Sequence, residues 1–395
     1  MHARGRPPAK GLRHGKSPRP AHYARAEQLI RCPSAKPLLR GVAPEVSAQR
    51  EARSSERGRG GAASPDPEVV KSLTTVLDVR DLRVSYHTAA GPVRAVNGVS
   101  FFLRPGERLG LVGESGSGKT TTALSLMRLL QEPAVIEGGE VLLDGVDLLS
   151  LSEEEMRLAR FADISLIPQG AMNSLNPMMK VGEQLRETIR AHRKGASSKV
   201  TMDTRIQEVL GSVELYAGVM DSYPHELSGG MKQRVCIAMA ILLNPKVIIA
   251  DEPTSALDVV VQRQVMETLR RVQEALGASV ILVGHDMGLM AQFVDRVGVM
   301  YGGKLAEVGP VRGIFKDPLH PYTQLLIKSL PNLETKEDFR GIPGLTPSLL
   351  APPSGCMFHP RCPHVMQRCS VDVPVLTEVA PDRWVSCHLY DGRQS

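Results

Sequence analysis

Two hydrophobic rhythms alternate along residues 76–310. Short apolar runs at 108–112, Val247–Asp251 and 280–284 have the length and β-branched content of buried strands. Between them, apolar positions recur every three or four residues at 121–130, 153–161, Val181–His192, 206–213 and Val259–Leu276, the spacing of helices with one buried face. Alternation at 76–86 fits a strand pair and continues at 93–103, and Pro105-Gly106 is a turn into the strand that follows. Residues 138–149 repeat a strand–turn–strand pattern around Asp144-Gly145, and 164–169 is a strand ending in the polar Gln169. About 60 mostly helical residues come next, broken by a loop at 194–198. Because they interrupt two core strands, they should form a lobe of their own. Asn244-Pro245 ends the helix that runs to Ala240. Strands alternating with helices imply an α/β fold with a mostly parallel sheet, whose ligands bind at the strands' carboxyl ends.

Residues 1–72 show neither rhythm and are rich in Arg, Pro, Gly, Ala and Ser. Such a segment buries too little apolar surface to offset its ordering entropy, so it reads as a disordered basic extension. Other readings are a basic arm for anionic lipid or RNA, or a start assigned upstream of the true one at Val69, Val70 or Val76. The extension also distorts the charge. Residues 1–60 hold 14 Lys and Arg against 4 Glu, so within a net charge of +6 the other 335 residues sum to −4. The folded part is therefore mildly acidic, and nucleic acid is not expected as a partner. No apolar run approaches the roughly 18–20 residues of a membrane span. Nor does an apolar stretch follow the basic N-terminus, so the expectation is a cytoplasmic protein whose membrane role runs through a partner.

The chemistry centres on Gly113-Glu114-Ser115-Gly116-Ser117-Gly118-Lys119-Thr120, which fits the phosphate-cradling G-x-x-x-x-G-K-[ST] pattern between a strand and a helix. Gly113, Ser115, Gly116 and Gly118 let backbone N–H groups turn toward an anion. Lys119 supplies positive charge, Thr120 a hydroxyl for Mg²⁺, and Thr121 opens the helix whose dipole favours phosphate. Adjacent Asp251 and Glu252 follow a buried strand. Two neighbouring carboxylates are costly to keep together without a cation, which favours a metal site.

Taken in order, the phosphate loop, Gln169, Leu227-Ser228-Gly229-Gly230, Asp251-Glu252, Ser255-Ala-Leu-Asp258 and His285 resemble the motifs of ATP-binding cassette (ABC) ATPases. The resemblance covers about residues 76–310, and the Leu-Ser-Gly-Gly element separates this family from other phosphate-loop NTPases. It implies a phosphate-loop NTPase core at 73–310 with an antiparallel β subdomain and an inserted helical lobe at about 170–240. Thr120, Gln169 and Asp251 would hold Mg²⁺, with Glu252, Gln169 and His285 acting on the water and γ-phosphate. Tyr86, at a strand end upstream of the loop, would stack on adenine. Ser228, Gly229 and Gly230 would serve the ATP of a facing subunit, in a head-to-tail dimer with a second ABC ATPase. Lys119 and Ser228 are about 110 residues apart, without the long coiled-coil insertion of a repair protein, and the motif set occurs once. A soluble non-transport ATPase is thereby the weaker alternative.

Beyond residue 310, His320-Pro-Tyr-Thr-Gln-Leu-Leu326 and Gly355-Cys-Met-Phe-His-Pro-Arg-Cys-Pro363 are similar to the C-terminal extension of oligopeptide/dipeptide importer ATPases. Gly170-Ala-Met-Asn-Ser-Leu-Asn-Pro177 matches the same subfamily. The resemblance implies a peripheral subunit on the cytoplasmic face of a membrane, working with two permease subunits and, indirectly, an extracytoplasmic substrate-binding protein. Related systems carry peptides, nickel or oligosaccharides. Four of the six cysteines, Cys356, Cys362, Cys369 and Cys387, fall in the 311–395 extension, at gaps of five, six and seventeen residues. Those gaps match neither zinc-ribbon nor ferredoxin spacings. Members of the subfamily imply a [4Fe–4S] cluster here; zinc and free thiols stay open. Cys236 reads as a small core residue.

Overall fold

The computed structural model describes residues 75–192, 198–255, 257–330 and 341–392. The basic extension, Cys32 and most of the 194–198 loop lie outside them. β1 (Leu77–Thr88), β2 (Gly91–Leu103), β3 (Arg108–Val112), α1 (Lys119–Leu126), β4 (Ala134–Leu143) and β5 (Val146–Asp147) come first. β2, β1, β4 and β5 form an antiparallel sheet in that order. Alternation predicts paired strands within 76–86, whereas the structure has one continuous strand there. Its register shifts between Val79 and Leu82 against β2, and Asp81 takes φ 45°. The bulge turns both Val79 and Leu82 inward, three positions apart, where an unbroken pleat would point them to opposite faces.

The second layer is an eight-stranded sheet to which β3 also belongs. α2 (Glu153–Ala159) leads into β6 (Ile164–Ile167), and the helical lobe follows with α3 (Val181–His192), α4 (Lys199–Ser212) and α5 (Gly229–Ile241). Then come β7 (Val247–Asp251), α6 (Val259–Leu276), β8 (Ser279–Val283), α7 (Met287–Phe293), β9 (Arg296–Tyr301) and β10 (Lys304–Pro310). β9, β3, β8, β7 and β6 are neighbours in that order and parallel. Successive residues of one strand feed opposite layers: Ile248 and Ala250 pack with the helical lobe and α6, Val247 and Ile249 with α1 and the antiparallel sheet. This two-sided burial is why β7 and β8 read as unbroken apolar runs. α6 starts where the Asp258 carboxylate accepts from the N–H groups of Val260 and Val261, and ends at Gly277, φ 65°.

After α8 (Val311–Lys316) and α9 (Pro321–Lys328), the chain returns to the main sheet as β11 (Thr377–Ala380) and β12 (Arg383–Val385). β12 pairs antiparallel with β10. The sequence leaves this extension short of apolar surface, and the structure shows it using the core of residues 75–310. Trp384 meets Phe102 edge-on with centroids 5.7 Å apart, and Phe358 is 1% exposed within the main core. The fully buried Glu307 on β10 accepts from the backbone N–H of Leu319 (3.0 Å) and His320 (2.9 Å) and from Arg383 Nη2 (3.0 Å). Glu307→Ala should lower the unfolding free energy by about 3–5 kcal/mol, because it leaves two N–H groups unpaired and the mostly buried Arg383 with only the exposed Asp317 as an anionic partner. A denaturant midpoint unchanged from wild type would rule out this anchoring role.

Candidate functional site

The turn between β3 and α1 is made by glycines that no other residue could replace. A Cβ on Gly113 (φ 151°) would lie 2.1 Å from the Met300 carbonyl oxygen, and one on Gly118 (φ 98°) 2.2 Å from that of Ala95. α1 begins at Lys119, so Lys119, Thr120 and Thr121 occupy its first turn. Lys119 is buried and donates to the Gly113 carbonyl (2.8 Å), the Glu114 carbonyl (2.9 Å) and Ser117 Oγ (3.3 Å). Its ammonium thus sits inside the ring of backbone. Burial holds its pKa below the usual lysine value, while Glu252, Asp251 and Glu114 pull the other way.

The carboxyl ends of β7 and β8 meet this turn. Thr120 Oγ1 donates to Asp251 Oδ1 at 3.2 Å. Burial pushes Asp251 up to about 6, despite that hydrogen bond. Two oxygen donors side by side, one of them an anion in a buried setting, are the donor set a Mg²⁺ ion takes. Glu252 is held in the left-handed region at φ 44°, with its N–H donating to the Val283 carbonyl. A non-glycine residue there costs on the order of 1–3 kcal/mol and persists only when its surroundings over-determine it. The two oxygens of its carboxylate are taken by different partners: Gln169 Nε2 donates to Oε2 at 2.8 Å, and His285 Nδ1 lies 3.0 Å from Oε1. Gln169, Glu252 and His285 therefore form one chain, although 83 and 33 residues separate them.

Tyr86, near the end of β1, is half-buried with its hydroxyl 3.3 Å from Thr121 Oγ1. Ser115 and Gly116 are exposed at the crown of the turn. Ser228 caps α5, its Oγ accepting from the Met231 N–H at 3.3 Å, and Gly229 and Gly230 form the first turn. Among the described residues no hydrogen bond joins these three to the phosphate loop.

Cys356, Cys362, Cys369 and Cys387 line one small cavity together with His320, His359, His364 and His388. Burial raises the thiol pKa values of Cys356 and Cys362 and pushes Cys387 up to about 11. Among the described residues no three His, Cys, Asp or Glu side chains are grouped tightly enough to hold a metal ion. The expected iron–sulfur ligands thus line one cavity but do not form a closed metal group among the described residues. Cys236 is buried and donates to the Ala171 carbonyl, as a core residue. No helix among the described residues is long and apolar enough to cross a membrane.

Sequence reasoning missed the residues joining the extension to the loop. The Glu114 N–H donates to Tyr322 Oη, and Arg361 forks onto the Glu114 carboxylate. Both partners stood in motifs that the pattern singles out, but nothing in their spacing pairs them.

Residues 96–255 match the family "ABC transporter", and 306–369 match "Oligopeptide/dipeptide transporter, C-terminal region". The oligopeptide transport ATP-binding protein OppD of Salmonella typhimurium is 45% identical over 315 residues, covering 79% of this chain and 93% of the relative. The dipeptide transport ATP-binding protein DppD of Bacillus subtilis is 45% identical over 329 residues, covering 81% and 96%. Among solved structures, the dimeric ABC transporter cassette MJ0796 is similar with a TM-score of 0.54 and 29% identity, over 60% of this chain and 99% of its own. The same cassette is also known in a post-hydrolysis state with ADP and Pi, at the same similarity.

Proposed function

The chain belongs to the ABC transporter ATPases, in their oligopeptide/dipeptide branch, and from that premise we propose that it hydrolyses ATP to drive peptide uptake through a membrane transporter. The observation that carries the catalytic part is the meeting of Lys119, Thr120, Asp251 and the Gln169–Glu252–His285 chain around one glycine turn. Lys119 and the loop N–H groups bind the phosphates. Thr120 and Asp251 supply oxygen donors for Mg²⁺, which offsets phosphate charge when bound. Gln169 and His285 hold both oxygens of Glu252, so its carboxylate is aimed before substrate arrives and can orient and deprotonate water. Tyr86 supplies an aromatic face for adenine, and Ser228, Gly229 and Gly230 offer a helix start to the ATP of a facing ATPase. In this reading two such ATPases, a second copy or a paralogue, close on two nucleotides and move two permease subunits, with peptides delivered by an extracytoplasmic binding protein. The protein then sits on the inner face of the membrane without entering it. The test is ATP-dependent uptake of labelled peptide into vesicles that carry the permeases and this chain. Uptake of nickel or an oligosaccharide in its place would replace the cargo and leave the ATPase role standing.

The four extension cysteines hold a [4Fe–4S] cluster in the same reading. Thiolate sulfur is the donor set such a cluster takes, and the four share one cavity. Three of the thiols have raised pKa values, so loading releases protons and strengthens as pH rises. Anaerobically purified protein should carry iron and acid-labile sulfide, and Cys→Ser changes should expose the extension to protease while ATP still binds. Zinc without sulfide, or no metal at all, would overturn the assignment.

A further inference from the structure

We propose that Arg361 is a positioning residue for the phosphate loop: it orients Glu114 and cancels its charge beside the bound triphosphate, so that the C-terminal extension sets ATP affinity. The inference rests on the ATP-binding reading above. Glu114 is the second residue of the glycine turn, and an acidic side chain there opposes the anion that the turn exists to hold. The structure answers that conflict from the far end of the chain. Arg361 Nη1 donates to Glu114 Oε2 at 2.7 Å and Nη2 to Oε1 at 3.0 Å, a two-pronged pair whose arginine side chain is only 4% exposed. The other three N–H groups are also occupied, by the Pro343 carbonyl (2.8 Å), the Ile342 carbonyl (3.1 Å) and Tyr301 Oη (3.2 Å). All five donors are used in fixed directions, which a lysine could not reproduce.

The backbone of Glu114 is held from the same side. Its N–H donates to the buried Tyr322 hydroxyl at 2.9 Å, while its carbonyl accepts from Lys119. Tyr322 packs in turn against Tyr301 and Phe358, with ring centroids 4.5 Å and 5.4 Å away. Tyr301 ends β9, beside the strand that leads into the loop, whereas Phe358 and Arg361 belong to the Gly355–Pro363 motif. Two short motifs therefore meet behind the loop, Tyr322 of the first reaching its backbone and Arg361 of the second its Glu114 carboxylate. If the ion pair served only to dock the extension, any buried apolar pair would do, at less cost than desolvating a cation and an anion. A charged fork on a residue of the anion-binding turn has a further consequence: without it, Glu114 faces the triphosphate uncompensated.

Equilibrium titration of the full-length protein with Mg-ATP tests this. Arg361→Ala should weaken binding by about tenfold, the order lost with one charge-assisted interaction. In the Glu114→Gln background, Arg361→Ala should change affinity less than twofold, because no charge is left to cancel. Arg361→Lys should recover only part of the loss. Equal ATP affinity in wild type and Arg361→Ala would overturn the proposal, and so would the same tenfold loss with and without Glu114→Gln. Should Arg361→Ala and the milder Arg361→Gln both unfold the protein, even beside Glu114→Gln, Arg361 is a structural staple and the proposal falls. A wild-type protein that binds no ATP would instead remove the reading beneath it.

Discussion

Glu252→Gln should reduce ATP hydrolysis at least about 100-fold while leaving ATP binding nearly intact. The amide keeps the shape of the carboxylate and can still meet Gln169 and His285, but it cannot take a proton from water. Ground-state binding comes from Lys119 and the glycine turn, which the change does not touch. Lys119→Ala should do the reverse and weaken ATP binding by about 10–100-fold, since it removes a charged group whose hydrogen bonds are worth roughly 1.5–3 kcal/mol each. The pair of variants thus separates binding from chemistry. With ATP bound and not consumed, Glu252→Gln should also accumulate as a closed dimer, visible by size-exclusion chromatography with ATP and absent with ADP. Normal turnover in Glu252→Gln would mean that another group activates water, and the strained backbone at φ 44° would then need a different explanation.

Where one physical rule dominates, the elements could be read from the chain. β3, β7, α3 and α6 have the bounds that the pattern implies, because unbroken apolar runs mark two-sided burial and Asp258 and Gly277 close α6 at both ends. Other boundaries moved for local reasons. α1 starts two residues before its apolar periodicity, since Lys119 and Thr120 serve the site and not the core, and it stops at Leu126 as Arg128 turns to φ 49°. α4 begins at Lys199, where Ser198 caps it, seven residues before the predicted start; its first two turns are mostly polar and carry little periodic signal.

The candidate site followed the same division. Each motif was legible from spacing, because a phosphate loop needs its glycines in a fixed order. What spacing could not express was pairing across the chain. Gln169 reads in sequence as a group that reaches the metal and the attacking water, and its Nε2 bond to Glu252 is a pairing that spacing does not express. Arg361 and Glu114 lie 247 residues apart, and Glu307 meets Arg383 across 76. Long-range ion pairs follow from packing, and neither periodicity nor propensity reports them. β11 and β12 escaped for a related reason: both are short, β11 is the edge strand and pairs only with β12, and β12 joins the main sheet through β10, more than 60 residues earlier.

Two inactive variants should restore activity to each other if the nucleotide sites are shared between chains. Ser228, Gly229 and Gly230 start α5 with N–H groups and a helix dipole available, and the Ser228 side chain is exposed. Among the described residues they make no hydrogen bond to the phosphate loop, and in the proposed reading the anion they serve is the ATP of a facing subunit. Wild-type specific activity should first be seen to rise with protein concentration, which establishes self-association. Lys119→Ala then lacks a working loop but keeps α5, while Ser228→Arg keeps the loop and blocks the helix start with a bulky cation. Each alone should lose most of its hydrolysis. In a mixed dimer one site combines both lesions, and the other combines the intact loop of Ser228→Arg with the intact α5 of Lys119→Ala. Random pairing puts half of the dimers in that state, so equimolar mixing should return a measurable fraction of wild-type activity, at most about one quarter if the two sites turn over independently. Strict coupling of the sites would lower that yield, so the decisive comparison is with a mixture of Lys119→Ala and Lys119→Ala/Ser228→Arg, in which no intact site can form. Equal activity in the two mixtures, with wild-type self-association established, would show that each chain completes its own site.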